Sequence, residues 1–292
     1  MPSWQGRSKG NKLGYSIFVS IIKKFGVRPS YILLRFVAFY YFLVSYKSSK
    51  IIFTFLHRKL KYNTLISLNK LYRNYYLLGQ TLIDKIAVMS GTPEKFTFDF
   101  DGEENLHTIT SMQKGGLLLS AHIGNWDIAG HLLKRLNTRI NIVMFDGEHQ
   151  KIKEYLTTVT GKSSANIIVI KNDLSHIYEI ADAFKNNELV CMHADRFIEG
   201  NKTITTDFLG EPARFPLGPF LLAAKFKVPV SFVFALKETA LHYHFFATGA
   251  KDYSAYDKET LISQMLSDFA KEMETKVEAY PEQWFNYYNF WQ

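Results

Sequence analysis

A single cysteine, Cys191, stands in a chain of 292 residues. It can build neither a disulfide framework nor a cysteine-rich zinc module. No stretch of about 20 uncharged apolar residues occurs, which excludes a polytopic membrane protein. Also missing are H-E-x-x-H, G-x-S-x-G and G-x-G-x-x-G, the marks of zinc peptidases, nucleophile-elbow hydrolases and dinucleotide-binding enzymes. Most telling is the missing acid: from Met1 to Ile83 there is no Asp or Glu. What remains is ordinary for a folded protein. Hydrophobic residues make up 47% and charged residues 21%, spread along the chain. That suffices for one large domain, or a domain with an appendage.

The net charge of +8 is unevenly placed. Fourteen of the 35 basic residues lie before Asp84, leaving 21 against all 27 acids. A basic front end thus precedes a mildly acidic body. Nucleic acid or an anionic membrane could attract it. The residues between the charges decide. Ser30–Tyr46 reads SYILLRFVAFYYFLVSY, Ile51–Leu56 reads IIFTFL and Ile17–Ile22 reads IFVSII. Apolar aromatic runs flanked by Lys and Arg suit a bilayer interface, not a nucleic-acid groove. Tyr31–Tyr46 would make a helix of ~24 Å against a hydrocarbon core of ~30 Å. It reads as a helix half-sunk in one leaflet or as a marginal span. The plain alternative is a buried helix of a soluble core. Ala38 is the only alanine in the first 86 residues, so no A-x-A cleavage signal follows the apolar run.

Beyond residue 90 the pattern changes. Phe96–Phe100 and His107–Met112 alternate like strands. Strand candidates at Gly116–Ala121, Ile140–Phe145, Ile167–Ile170 and Leu189–His193 are then followed by helical stretches near Trp126–Leu136, His149–Val159 and Ser175–Lys185. A strand ends at Phe208, Pro216–Phe226 is helical, Pro229–Leu236 and Leu241–Thr248 are apolar strands, and Asp257–Ala279 is a long amphipathic helix. This alternation predicts an α/β fold with a mostly parallel central sheet flanked by helices. The expected division is a basic helical region over 1–90 and an α/β domain over 91–292.

Functional residues of such a sheet gather at the carboxyl ends of its strands. Two clusters fall there. In LLLSAHIGNWD, His122 closes a buried strand, Asn125 is placed to cap the next helix, and Asp127 lies in its first turn. The spacing is His-x4-Asp. A carboxylate folded back onto the imidazole would fix its tautomer and make it a general base. The plain alternative is that Asp127 only complements the helix dipole. In the second cluster, Asp195 and Arg196 follow Leu189–His193, and Phe208-Leu209-Gly210 then Pro212-Ala213 form a tight loop before Arg214 and Gly218-Pro219. Arginine suits phosphate through its planar fork, although Arg196 could equally pair with Glu199. His242-x-His244 and His193-x-Asp195 share strand faces, but zinc needs three converging ligands, so no metal is expected.

Taken in order, these features resemble the lipid A biosynthesis acyltransferases, the late lauroyl and myristoyl transferases within the glycerolipid acyltransferase superfamily. The terminal Pro281-Glu282-Gln283-Trp284-Phe285 is similar to that family's PEQW block. The resemblance implies a glycerol-3-phosphate acyltransferase-like fold and acyl transfer from an acyl carrier protein or coenzyme A thioester to a hydroxyl of a lipid. It implies work at the cytoplasmic face of a bacterial inner membrane, with no cofactor and no nucleic-acid partner. His122 would be the base, Asp127 its orienting partner and Asp195 a second carboxylate. Asn125, Arg196, Gly210 and Arg214 would lie toward substrate. Two departures stand out. Asp146 stands where the family usually has Arg, and RFPL precedes Gly218-Pro219. They point away from lipid A, and the opening MPSWQGRSKGNKLGY with the FDGEHQ stretch resembles a subgroup tied to other acylated products, such as aryl-polyene pigments or aminolipids. A non-catalytic lipid-binding protein is the reading from a different class.

Overall fold

The computed structural model describes residues 12–90, 96–128, 136, 138–145, 166–171, 173–197 and 200–291. The front end is helical: α1 (Lys12–Phe25), α2 (Val27–Val44), α3 (Tyr46–Thr54) running into a π turn at Phe55–Lys59, and α4 (Thr64–Met89). Asn63 starts α4 by accepting the Ile66 N–H at 2.9 Å. Helices α2 and α4 pack against each other very closely. A Cβ at Gly79 would sit 2.3 Å from Leu34 Cδ1, so a larger residue there would have to displace the Leu34 side chain.

The body is a seven-stranded sheet in the order β1-β9-β8-β2-β5-β3-β4. Its strands are β1 (Thr97–Asp101), β2 (Gly116–Ser120), β3 (Ile140–Met144), β4 (Asn166–Val169), β5 (Leu189–His193), β8 (Val230–Thr239) and β9 (His242–Ala247). Every pairing is parallel except β8 with β9. Central β2 is buried along its whole length, as a strand covered on both faces must be. Helices α5 (Glu103–Ser111), α6 (Ser175–Lys185), α7 (Gly218–Phe226) and α8 (Lys258–Ala279) accompany it. A separate antiparallel ribbon pairs β6 (Thr203–Phe208) with β7 (Glu211–Pro216).

Two local expectations need correction. His107–Met112 is not a strand but the end of α5. Glu103 and Glu104 favour a helix start, Leu106 and Ile109 are buried one turn apart, and Thr108 Oγ1 bonds back to the Glu104 carbonyl. The alternating Thr and Ile had imitated a strand. In the other direction, Glu211–Pro216 forms β7 despite its two prolines, and the following helix begins only at Gly218. A two-stranded ribbon leaves one side of each strand unpaired, where proline is tolerated. The helix expected at His149–Val159 lies outside the described residues.

Front end and body share one hydrophobic cluster, in which Ala38, Ile52, Leu71 and Tyr75 pack with Val230, Phe232 and Trp284. A buried polar knot reinforces the contact. Asp84 of α4 and Lys237 of β8 form an ion pair with side chains 0% and 2% exposed. Tyr31 of α2 and Tyr243 of β9 both donate to the Asp84 carboxylate, and Lys237 Nζ also donates to the Ala240 carbonyl at 2.7 Å. Breaking a buried pair by removing one partner strands the other charge. Lys237→Met is therefore expected to lower stability by about 3–5 kcal/mol in urea unfolding; a loss below about 1 kcal/mol would contradict the role given to this pair.

Candidate active site

Strands β2 and β5 lie side by side, with Ser120 opposite His193. Their carboxyl ends therefore bring His122 and Asp195 together. His122 Nδ1 lies 2.7 Å from Asp195 Oδ1, and the His122 backbone N–H donates to Asp195 Oδ2 at 2.9 Å. Both carboxylate oxygens are thus spent on one residue. The Asp195 side chain is 1% exposed and the His122 ring 22% exposed.

The electrostatics assign protons. Burial opposes the Asp195 charge, but His122, its hydrogen bond and Arg196 outweigh it and hold Asp195 well below the usual carboxylate range. Burial, aided by the Arg196 charge, brings His122 below its ordinary value, against the pull of Asp195. At neutral pH the carboxylate is ionised and the imidazole neutral. Nδ1 then carries the proton donated to Asp195, and Nε2 carries the basic lone pair.

The turn that carries His122 is clamped from outside. Phe285 N–H donates to the His122 carbonyl at 2.9 Å, Gly124 N–H to Gln283 O at 2.9 Å, and Asn125 N–H to Ala235 O at 2.7 Å. Gly124 has φ +72° and abuts β8 so closely that a Cβ would lie 2.0 Å from the Ala235 carbonyl. Gln283 in turn bonds both polar groups of the Lys237 backbone, at 2.9 and 2.7 Å. Asn74 of α4 donates to the carbonyls of Glu282 and Trp284, each at 3.0 Å. The terminal PEQWF segment is thus a brace between α4, β8 and the His122 turn. Tyr288 completes it, donating to the Asp195 carbonyl at 2.8 Å.

The other expected site residues separate. Asp127 does not orient His122: its carboxylate pairs with Lys85 Nζ at 2.9 Å, and Asp195 holds the imidazole instead. A carboxylate at the start of a helix can face α4 as easily as the preceding turn, and here it does. Asn125 directly precedes the helix that begins at Trp126, but it is 3% exposed and its amide donates to Thr81 O at 3.1 Å and Tyr243 Oη at 3.2 Å. It joins the turn to α4 and β9 in the protein interior. Gly210 (φ +75°) and Leu209 (φ +52°) form the two-residue turn of the β6–β7 ribbon, so Gly210 answers a backbone requirement. Arg214 is on that ribbon, bonded to Thr203 Oγ1 at 3.1 and 3.2 Å and lying over Phe197. Arg196 does belong to the cluster; its guanidinium donates to the Phe285 carbonyl and its charge acts on His122. Glu199 and Asp146 lie outside the described residues.

A groove of about 920 Å³, its open mouth included, lies against the sheet beside this cluster. Leu118, Ile142, Val233 and Phe246 line its apolar walls, and Ser120, Trp126 and His193 are also among its lining. Cys191 lines it as well, but burial pushes its thiol up to about 12, which makes it an inert wall residue and no nucleophile. His193 stacks on His122, with ring centroids 4.1 Å apart and planes 29° from parallel. Ligand atoms of His122, His193 and Asp195 all lie within 4.8 Å of one another, the spacing of a metal site. The chemistry fits poorly: stacked rings direct their in-plane lone pairs along near-parallel planes, and both Asp195 oxygens already accept from His122.

The sequence matches the bacterial lipid A biosynthesis acyltransferase family over residues 71–292. The chain belongs to that family. Among characterised proteins it is similar to the phosphatidylinositol mannoside acyltransferase of two Mycobacterium tuberculosis strains, at 25% identity over 189 residues. That alignment covers 63% of this chain and 56% of each relative, so the likeness spans little more than half their length. Among solved structures, the 1-acyl-sn-glycerophosphate acyltransferase PlsC of Thermotoga maritima aligns with 85% of this chain and 96% of its own, at 14% identity and a TM-score of 0.38. The family matches the resemblance read from the motifs.

In this member of the family the geometry ranks the two carboxylates. Asp195→Asn is expected to lower turnover of an acyl thioester by about 10²-fold or more, and Asp127→Ala by much less. A base at His122 would have to be neutral to take a proton, so on that reading wild-type kcat/KM should rise with pH along a limb centred below 6.5. Asp195 raises the His122 pKa, so in Asp195→Asn that limb should move to still lower pH. Equal losses at the two positions, or a limb moving upward, would contradict the assignment.

Proposed function

We propose that this chain is a membrane-seated O-acyltransferase that moves a fatty acyl group from a thioester to a hydroxyl on a lipid. The observation that carries the reading is the His122–Asp195 pair beside an apolar groove. His122 Nε2 takes the proton of the acceptor hydroxyl as its oxygen attacks the thioester carbonyl carbon. Asp195 stays ionised and stabilises the imidazolium that forms. The tetrahedral intermediate collapses, the C–S bond breaks, and the imidazolium returns its proton to the leaving thiolate. The products are an ester and a free thiol. A general base of this kind contributes roughly 10²–10⁴-fold.

The groove suits the acyl chain. Each methylene buried there is worth about 0.8 kcal/mol, so groove length would set chain preference. The thiol carrier is an acyl carrier protein or coenzyme A. For the acceptor, the mycobacterial relatives act, by their names, on a phosphatidylinositol mannoside. A sugar-bearing lipid is therefore a fitting class, with lipid A, an aminolipid or an aryl-polyene pigment as its competitors. The non-catalytic alternative gives no reason to hold an imidazole in one tautomer with a buried carboxylate.

The front end suits the membrane. The inner face of α2 buries Val27, Tyr31, Leu34 and Ala38 against the protein. Its outer face is apolar too: Ile32, Phe36, Phe39, Tyr40 and Leu43 are each more than half exposed and follow a helical stripe. Leu13 and Phe25 of α1 are similarly exposed. Exposed apolar area of this extent marks an interaction surface. Lys23, Lys24, Arg28, Arg35, Lys47 and Lys50 flank it with no acid nearby in sequence, and each contributes about 1 kcal/mol near an anionic leaflet. Val27–Val44 has the length and mean hydropathy of a membrane span. Because its inner face holds Tyr31 in the Asp84–Lys237 knot, we place the helix along one leaflet; the family resemblance suggests the cytoplasmic face of the inner membrane.

Two experiments test the reading. Mass spectrometry of total lipids and pigments, with and without the gene, should show one class differing by an acyl mass; no such difference in any class would reject the enzyme. Phe36→Glu with Leu43→Glu should abolish co-flotation with vesicles rich in anionic phospholipid while leaving soluble thioester turnover intact. Unchanged flotation would reject the seating.

A further inference from the structure

His193 has no part in the proton transfer described above, yet its placement is costly. It ends β5 and lines the apolar groove. Its ring stacks on His122 and meets Trp126 in a T-shaped contact, the latter with centroids 5.1 Å apart and planes at 90°. Both ring nitrogens are buried, and neither makes a hydrogen bond of ordinary geometry, although the Ser120 backbone acts weakly on the ring. The nearby Ser120 carbonyl already accepts from Ala194 N–H at 2.9 Å. A buried imidazole without partners loses the hydrogen bonds it would make in water, which costs stability. A native site tolerates such an orphan when a ligand supplies the missing partner. Burial, together with the neighbouring His122, brings His193 well below the ordinary range, so it is neutral and keeps one N–H to donate.

The acyl chain proposed for the groove carries one polar atom at its reacting end, the thioester carbonyl oxygen. We infer that His193 is a further catalytic residue of this acyltransferase, donating its imidazole N–H to that oxygen. The inference rests on the thioester-transfer reading above. As the acceptor oxygen bonds to the carbonyl carbon, the C=O electron pair moves onto oxygen, and the His193 N–H holds that oxyanion. When the pair re-forms the carbonyl, the C–S bond breaks and the thiolate leaves with the proton from His122. A neutral imidazole suits the task because it gives up no proton in donating. Its stacking on His122 fixes the donor and the base in one unit.

The test uses lauroyl-coenzyme A labelled with ¹³C at the carbonyl, with the full-length protein in detergent. His193→Phe keeps the aromatic contact with Trp126 and removes the donor; His193→Gln restores an N–H. Infrared difference spectra should show the labelled carbonyl stretch shifted to lower frequency on binding to wild type and to His193→Gln, but not to His193→Phe. Turnover should fall about 10²–10³-fold in His193→Phe, as for loss of one oxyanion donor, with KM for the thioester within threefold and partial recovery in His193→Gln. An unshifted carbonyl in wild type, a shift that survives His193→Phe, or no recovery by glutamine would each overturn the inference. A shifted carbonyl in wild type without any acyl transfer would instead reject the transfer reading and leave the carbonyl contact standing.

Discussion

One carboxylate–imidazole contact across two neighbouring strands organises this molecule. Asp195 gives one oxygen to the His122 ring and the other to the His122 backbone. The pair therefore fixes the ring and the turn beneath it together. That geometry exists only because β5 inserts beside β2, which places the two strand ends in register. Displacing β5 would lose both bonds at once.

The rest of the chain braces this contact. The PEQWF segment holds the His122 turn through Gln283 and Phe285 and reaches α4 through Asn74. Asn125 connects the same turn to Thr81 and Tyr243, and Tyr243 donates into the Asp84–Lys237 knot that also receives Tyr31 of α2. The helix with the apolar outer face is therefore joined to the His122 turn by a short chain of hydrogen bonds. On the proposed reading, an apolar outer surface and the site need a fixed relation if a lipid hydroxyl is to meet a thioester. Buried polar contacts supply direction that apolar packing alone does not.

Much of this was legible in the residues. The strand–helix alternation predicted the sheet, and α6 and β5 occur where the pattern put them. His122 and Asp195 were visible as strand-end residues. Their partnership was not, because strand order is not written along the chain and β5 follows β2 only after two other strands. Short spacing made Asp127 the apparent partner, whereas proximity in sequence mattered less than adjacency in the sheet. The turn at Gly210 requires a positive φ and the Asn125 amide is buried, and neither requirement is written in the residue types alone. His193 had been noticed only as half of a metal-like pair. Its meaning depends on ring stacking and on two nitrogens left without partners, neither of which a sequence displays.

The central claim is that a buried carboxylate holds His122 as the Nδ1–H tautomer. Nitrogen-15 NMR of ring-labelled protein near neutral pH reads this without any substrate. The account predicts, for His122, a protonated Nδ1 with a strongly downfield proton and an unprotonated Nε2, the downfield signal vanishing in Asp195→Ala and persisting in Asp127→Ala. A His122 ring protonated at Nε2 alone, or a signal that depends on Asp127 instead of Asp195, would contradict it.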